Sequence, residues 1–354
     1  MTTYSDDKDV EVLQSFAAAM LRSRRGVLTE YATLLRFPQG TRGFHRQYER
    51  LLRRVDTLKQ ALRAQVQEHL QDKAGLTLVI FDDTTIKKTG KQFENEGVHH
   101  DHTGGGYYQG FTACTTAVYK HGKIGVLETV FANDTLTKLE QCQTAFTSAC
   151  KDVHPDVFLF DTWYALEPLL STIEQLNKVY VTRLRSNRVV LFDNERVSLR
   201  ELAASIPHDQ YTRIRIHRRT FWVLDLQLDL NGLGEQRVII SKDAVHANPV
   251  FLTTNAQFTT KFVVNLYLKR FAIELFFKDA KQFLNLETFQ CRSKEKWELH
   301  LTLIHLLHWC IQKKNSISKT VRAIRESVDK IMSYINKNEL FNKLFDELRS
   351  RCQI

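Results

Sequence analysis

Apolar residues recur at helical spacing from about residue 8 to 72, as in Val10, Leu13, Phe16, Ala17 and Met20 and later Leu51, Leu52, Val55, Leu58 and Leu62. This spacing predicts a helical N-terminal segment, broken by a turn at Pro38, Gly40 and Gly43. At residue 76 the pattern changes to a compact run, Leu76-Thr-Leu-Val-Ile-Phe81, that stops at Asp82-Asp83-Thr84-Thr85. A buried strand with carboxylates at its C-terminal end is expected there. A polar loop through His99, His100, His102 and Gly104–Gly106 leads to strand-like runs at about 107–119 and 123–132, and helical spacing returns at about 136–152. A second short apolar run, Val157-Phe-Leu-Phe160, ends in Asp161; a helix-like stretch from Ala165 and a strand from Val179 to Leu184 follow.

The order strand, strand, strand, helix, strand, helix, strand, with Asp closing the first and fourth strands, is the plan of an α/β RNase H-like core with a mixed sheet. Between about 186 and 260 the alternation is of period two, as in Tyr211-Thr-Arg-Ile-Arg-Ile-His217 and Phe221-Trp-Val-Leu-Asp-Leu-Gln-Leu-Asp-Leu230, which predicts an all-β insertion. Helical spacing resumes at about 262 and continues to the end. The expected organisation is a helical segment at 1–75, the first part of the core at 76–185, a β-rich insertion at 186–260, a helix completing the core at 261–295 and a helical C-terminal segment at 296–354.

With 354 residues, 43% of them hydrophobic and 25% charged, the chain can bury a sizeable core. Lys and Arg number 50 against 40 Asp and Glu, a formal charge of +10. That field favours a polyanion: nucleic acid, a ribosome or a membrane surface. Arg22, Arg24, Arg25, Arg36, Arg42, Arg46, Arg50, Arg53 and Arg54 ring the turn at Pro38, Gly40 and Gly43, either as part of a DNA-binding helical module, to which Arg forks are suited, or as a solvated basic face. The six cysteines have neither a Cys-x-x-Cys pair nor zinc-ligand spacing and read as reduced thiols. The N-terminus has no secretory character, and no apolar run is long enough to span a bilayer. A cytoplasmic, nucleoid-associated protein without a membrane partner is expected.

On one α-helix, Tyr267, Arg270, Glu274 and Lys281 share a face about 60° wide, with Leu268, Ala272, Leu275, Phe276 and Phe283 on the far side to bury against a sheet. Glu274 can hold a hard divalent cation through oxygen, while Arg270, Lys281 and the Tyr267 hydroxyl can reach phosphate oxygens. The bland alternative is a surface helix with favourably spaced charges. Three carboxylates, two at strand ends and one on a late helix, suffice for two magnesium ions that activate the attacking oxygen and stabilise the leaving one.

The pattern Tyr-x2-Arg-x3-Glu-x6-Lys at 267–281 resembles the signature of bacterial insertion-sequence transposases of the DDE class, in the group named for insertion sequence four. Asp83-Thr84-Thr85 and Asp161 are similar to that group's first and second catalytic Asp motifs, and the long β-rich insertion is also a feature of it. The resemblance covers about 76–290. It implies catalysis and metal binding by Asp83, Asp161 and Glu274, two Mg²⁺ ions (or Mn²⁺), and cut-and-paste transposition. The DNA partners would be terminal inverted repeats and a target, held in a synaptic homodimer. Only one of the adjacent Asp82 and Asp83 can face the site, and the resemblance selects Asp83, which directly precedes Thr.

Lys87 and Lys88 are expected at the rim of the site, against the DNA backbone. Trp222, the single Trp of the insertion, is a candidate for the base-holding Trp of some members of the group, with core packing as its alternative, and Trp163 is a second aromatic that can approach DNA. Arg213, Arg215 and His217 lie on one strand face and either extend a DNA track or are solvated. His99, His100 and His102 lack a fourth spaced ligand, so a zinc site is not expected. The other readings are a DNA-binding protein derived from a transposase that no longer cuts, and a nuclease with the same core.

Overall fold

The parallel and antiparallel pairings of one strand organise the molecule, for which a computed structural model describes residues 6–23, 25–35, 40–72, 74–88, 97–100, 105–131 and 137–314. Pro38, His102 and Gly104, with the C-terminal stretch from 315, lie outside the described residues. The chain opens with α1 (Asp6–Arg22), α2 (Leu28–Leu34), α3 (Gly40–Leu52) and α4 (Val55–Leu70). Gly43, expected in a turn, is buried inside α3.

The sheet begins with β1 (Leu78–Lys87), β2 (Gly97–His100), β3 (Tyr107–Lys120) and β4 (Lys123–Phe131); then come α5 (Lys138–Asp152), β5 (Val157–Phe160), α6 (Glu167–Gln175) and β6 (Val179–Leu184). A 3-10 turn at Thr162–Tyr164 precedes α6, which therefore starts later than Ala165. In this half of the sheet the order is β4-β3-β1-β5-β6, with β2 also on β3. β1 is antiparallel to β3 and parallel to β5, and β5 is parallel to β6. The Val-, Ile- and Phe-rich runs of β1 and β5 fit strands covered on both faces.

The inserted segment folds as β7 (Val189–Phe192), β8 (Glu195–Ser198), α7 (Leu199–Ser205), β9 (Thr212–Ile216), β10 (Arg219–Leu230), β11 (Gly234–Lys242) and β12 (Val250–Thr254). It is not all β: a Ser198/Glu201 capping box, in which each side chain accepts from the other's backbone N–H, starts α7. β12 pairs with β6, so the insertion prolongs the sheet as β6-β12-β11-β10-β7-β8 and adds a second core around Val190, Leu202, Leu228 and Phe251.

The chain closes with α8 (Thr260–Lys269), α9 (Phe271–Phe283) and α10 (Lys294–Lys314). Tyr267 to Lys281 is thus two helices rather than one. Arg270 N donates to Tyr267 O at 3.0 Å and Ile273 N to Arg270 O at 3.1 Å, i to i−3 bonds that tighten the junction. On α9 the buried face is Ile273, Phe276, Phe277 and Ala280, whereas Leu275, expected to bury against the sheet, is 56% exposed.

The N-terminal helices share the main core with the sheet and α10. Tyr48 Oη donates to Lys296 O at 2.9 Å, and Asn285 Nδ2 to Met20 O at 2.9 Å. Gly26 has φ +65°, and a Cβ there would stand 2.8 Å from Phe289 N, so only glycine lets this link pass so close. Among the described residues no helix is long and apolar enough to cross a membrane.

Three histidines of α10 are enclosed in this core. His300 Nε2 lies 3.3 Å from Asn285 O, His305 Nε2 3.2 Å from Thr129 Oγ1, and Gln312 Nε2 2.9 Å from His308 Nδ1. Burial lowers their pKa values from 6.5 to about 3, 3 and 4 respectively. Each is neutral in both states above pH 6.5; below it the unfolded chain takes up protons that the folded chain refuses. Unfolding free energy should therefore fall with acidification from pH 6.5, by up to about 1.4 kcal/mol per pH unit for each histidine. Urea denaturation at pH 7, 6 and 5 tests this: His305→Asn should flatten the slope by about that amount, and an unaltered slope would refute it.

Candidate active site

The site forms where one strand outlasts its neighbour. β1 pairs with β3 along all of Leu78–Lys87, but with β5 only through Phe81↔Phe160. The aspartates therefore lie within β1 rather than at its end. Asp82 and Asp161 are the first residues past the last parallel pair, in the crevice outside the carboxyl ends of parallel strands where α/β sheets bind ligands.

Strand alternation separates the two neighbouring acids. The Phe81 ring packs on Phe146 of α5 at 5.9 Å and on Tyr164 at 5.0 Å. Asp83 shares that face: its Oδ1 accepts from Tyr164 Oη at 2.5 Å and its Oδ2 from Lys138 Nζ at 2.8 Å. Asp82 points the other way, toward the junction of α8 and α9.

Arg270 joins the groups on that side. Its side chain is only 8% exposed; Nη1 donates to Asp82 Oδ2 at 3.0 Å, Nη2 is paired with Glu274 Oε1, and Nη2 lies 4.0 Å from Asp161 Oδ1. Tyr267 Oη donates to the same Asp161 oxygen at 3.4 Å. Arg270 Nε is buried without a hydrogen-bond partner.

Burial raises the Asp82 pKa from 3.8 to about 7; Arg270 opposes the rise, while Asp83 and Asp161 add to it. Burial works against the Arg270 charge, but Tyr267, Asp82, Asp161 and Glu274 outweigh it and hold the guanidinium protonated. The pocket therefore has more carboxylate than one cation satisfies. Among the described residues no three His, Cys, Asp or Glu stand together as a ready metal cage. Asp82, Asp161 and Glu274 instead fan around one guanidinium, and their all-oxygen donor set suits a hard divalent cation.

The family model for the transposase DDE domain matches residues 73–310, about two thirds of the chain and the whole span holding these groups. The chain belongs to this family. Compared with curated proteins it has no match. Members of the family generally use divalent metal ions, and DNA is the substrate that membership implies. A transposase therefore needs a carboxylate group of this kind, and the geometry sorts the expected residues of this one.

Asp161 and Glu274 come together through Arg270, with Asp82 as third member, whereas Asp83 does not join them. Tyr267 is 7% exposed and steadies Asp161 rather than presenting its hydroxyl outward. Lys281 Nζ donates to Thr85 O at 2.7 Å and pairs with Glu287 at 2.8 Å, bracing the β1 extension. Lys88 is not a rim cation: it is 6% exposed, its Nζ donates to Glu287 O at 2.7 Å and Phe289 O at 2.9 Å, and it lies over the Trp297 ring. Lys87 is exposed, 5.6 Å from the Tyr108 ring centroid. Trp222 is half-buried beside His208 on β10, with β6, β12 and β11 between its strand and β5. Trp163 is 41% exposed, with Lys138 Nζ 5.4 Å from its ring centroid. On β9, Arg213 and Arg215 are exposed opposite the partly and fully buried Ile214 and Ile216.

Lys138 and Tyr164 are the residues that sequence reasoning passed over, while Asp82 was weighed against Asp83 and the resemblance favoured Asp83. A usable signal exists, because both parallel strands close on a hydrophobic residue followed by Phe-Asp, Ile80-Phe81-Asp82 and Leu159-Phe160-Asp161; sliding these blocks into register selects Asp82.

The two aspartates should differ in stability effects. Asp83→Ala strands the Tyr164 hydroxyl and Lys138 and should cost about 1–3 kcal/mol. Asp82→Asn removes a carboxylate whose ionisation burial opposes, and should change stability by less than about 1 kcal/mol. Urea denaturation at pH 7.5 checks both, and the reverse ranking would contradict the assignment of faces.

Proposed function

We propose that the chain is an active DDE transposase that cleaves the ends of an insertion sequence and transfers them to target DNA, with Asp82, Asp161 and Glu274 as its metal-binding acids. The observation that carries this is the convergence of these three carboxylates on Arg270, at the end of the Phe81↔Phe160 pairing and within the matched family span. The strand order β4-β3-β1-β5-β6, with β1, β5 and β6 parallel and β3 reversed, supports an RNase H-like core. In this reading Asp82 takes the place given to Asp83 by its position before Thr84, supported by the direction of the two side chains: Asp82 meets Arg270, and Asp83 meets Lys138 and Tyr164.

Magnesium bound by these carboxylates would activate the attacking oxygen and stabilise the leaving 3′ oxygen of the phosphodiester. The chain's own residues prepare that site. Arg270 offsets the mutual repulsion of the acids, which otherwise favours protonation. Tyr267 fixes the Asp161 carboxylate, and Lys281 anchors Thr85 so that the β1 extension keeps Asp82 in place. The Asp83, Tyr164 and Lys138 group holds the 3-10 turn that follows Asp161. Terminal inverted repeats, a target duplex and a synaptic homodimer complete the reading. The presence of three acids of the DDE type favours it over a descendant that binds DNA without cutting.

A nicking assay on a supercoiled plasmid bearing the element's ends, with magnesium, tests the proposal. Asp82→Asn, Asp161→Asn and Glu274→Gln should each reduce cleavage at least about 100-fold while leaving end binding intact. Asp83→Asn, assayed well below its unfolding temperature, should still cleave. Cleavage by Asp82→Asn together with its loss in Asp83→Asn would overturn the ligand assignment.

A further inference from the structure

Beyond the carboxylates, an open cavity of about 390 Å³ is lined by Thr162, Ser186, Asn187 and three arginines, Arg183, Arg185 and Arg200. It adjoins the site through the chain itself. Thr162 follows Asp161 and its Oγ1 lies 3.4 Å from Asp161 Oδ1. β6 pairs with β5 through Phe160↔Thr182, so Arg183 follows at the level of Asp161.

The lining contains no carboxylate, and none of the three arginines forms an ion pair among the described residues. Arg200 Nη2 donates to Ser186 Oγ at 3.2 Å, a neutral partner. All three arginines are exposed. Three like charges around one concavity repel one another, and the arrangement is favourable once an anion enters. Planar guanidinium forks match phosphate oxygens bidentately. Ser186 and Asn187 add neutral donors, and the volume is that of a nucleotide-sized ligand rather than of a water cleft.

We propose that this cavity grips the sugar–phosphate backbone of the DNA strand running into the carboxylate site, with one or two phosphodiesters held by Arg183, Arg185 and Arg200. The proposal rests on the transposase reading and adds to it a track on the β6 side of Asp161. Phosphates held there fix the register of the strand against the acids without reading its sequence.

Fluorescence anisotropy with a labelled duplex carrying the element's end, titrated from about 50 to 300 mM salt, tests it. The slope of log affinity against log salt should become shallower by about 1 to 2 in the double variant Arg185→Gln/Arg200→Gln. Arg196→Gln, on exposed β8, should leave the slope unchanged. The thermal midpoint of the double variant should not fall, since the change relieves repulsion. An unchanged slope, or an equal change in the Arg196→Gln control, overturns the cavity and leaves the transposase reading standing. Stabilisation of the parent by inorganic phosphate without any change in the DNA slope would make the cavity a free-anion site and overturn the proposal too. A parent chain that does not bind the duplex would remove both.

Discussion

The pairing of Phe81 with Phe160 is the constraint on which the site depends. It is the last rung of the parallel ladder between β1 and β5, and because β1 stays paired to β3 it continues past that rung as ordered strand. Two consequences follow from strand geometry alone. Asp82 and Asp161 emerge side by side, and Asp83 is turned to the opposite face. A slip of one residue would exchange the roles of Asp82 and Asp83. The buried Phe81, Phe146, Phe158 and Phe160 cluster makes that slip costly, since it would carry aromatic rings from the core to the other face of the sheet.

Electrostatics then shapes what packing has brought together. Carboxylates converging in a partly buried crevice are unfavourable unless positive charge is near. Arg270 supplies it from the junction of α8 and α9. On the opposite face, Asp83 uses Lys138 and Tyr164 to secure the turn after Asp161. The adjacent acids thus face opposite sides of one strand, each with its own cation.

The hydrophobic blocks of β1, β5 and β6, the N-terminal helices, α10 and the late helix bearing Glu274 are legible in sequence because burial imposes periods that the sequence reveals. Less legible was whatever depended on tertiary partners. Periodicity around Tyr267 to Lys281 is helical throughout, so the tight junction at Arg270 leaves no mark in it; the face opposite the aligned Tyr, Arg, Glu and Lys includes Leu275, whereas the buried residues are Ile273, Phe276, Phe277 and Ala280, themselves at helical spacing within α9. Lys88 looks like any surface lysine until the carbonyls of Glu287 and Phe289 and the Trp297 ring are found around it. Helix α7 was hidden by the strong alternation on either side, although its Ser-x-x-Glu cap was present in the sequence. Which of Asp82 and Asp83 lies beside Asp161 depends on inter-strand register, a relation between segments about 80 residues apart.

Under the proposal, side-chain direction on β1 makes Asp82, not its neighbour, the acid that works with Asp161 and Glu274. Calorimetric titration of Mn²⁺ into the purified chain and its Asp82→Ala and Asp83→Ala variants at pH 7.5 addresses it without DNA or turnover. Asp82→Ala should abolish the binding heat while folded Asp83→Ala should retain it. Binding kept by Asp82→Ala and lost by Asp83→Ala would contradict it.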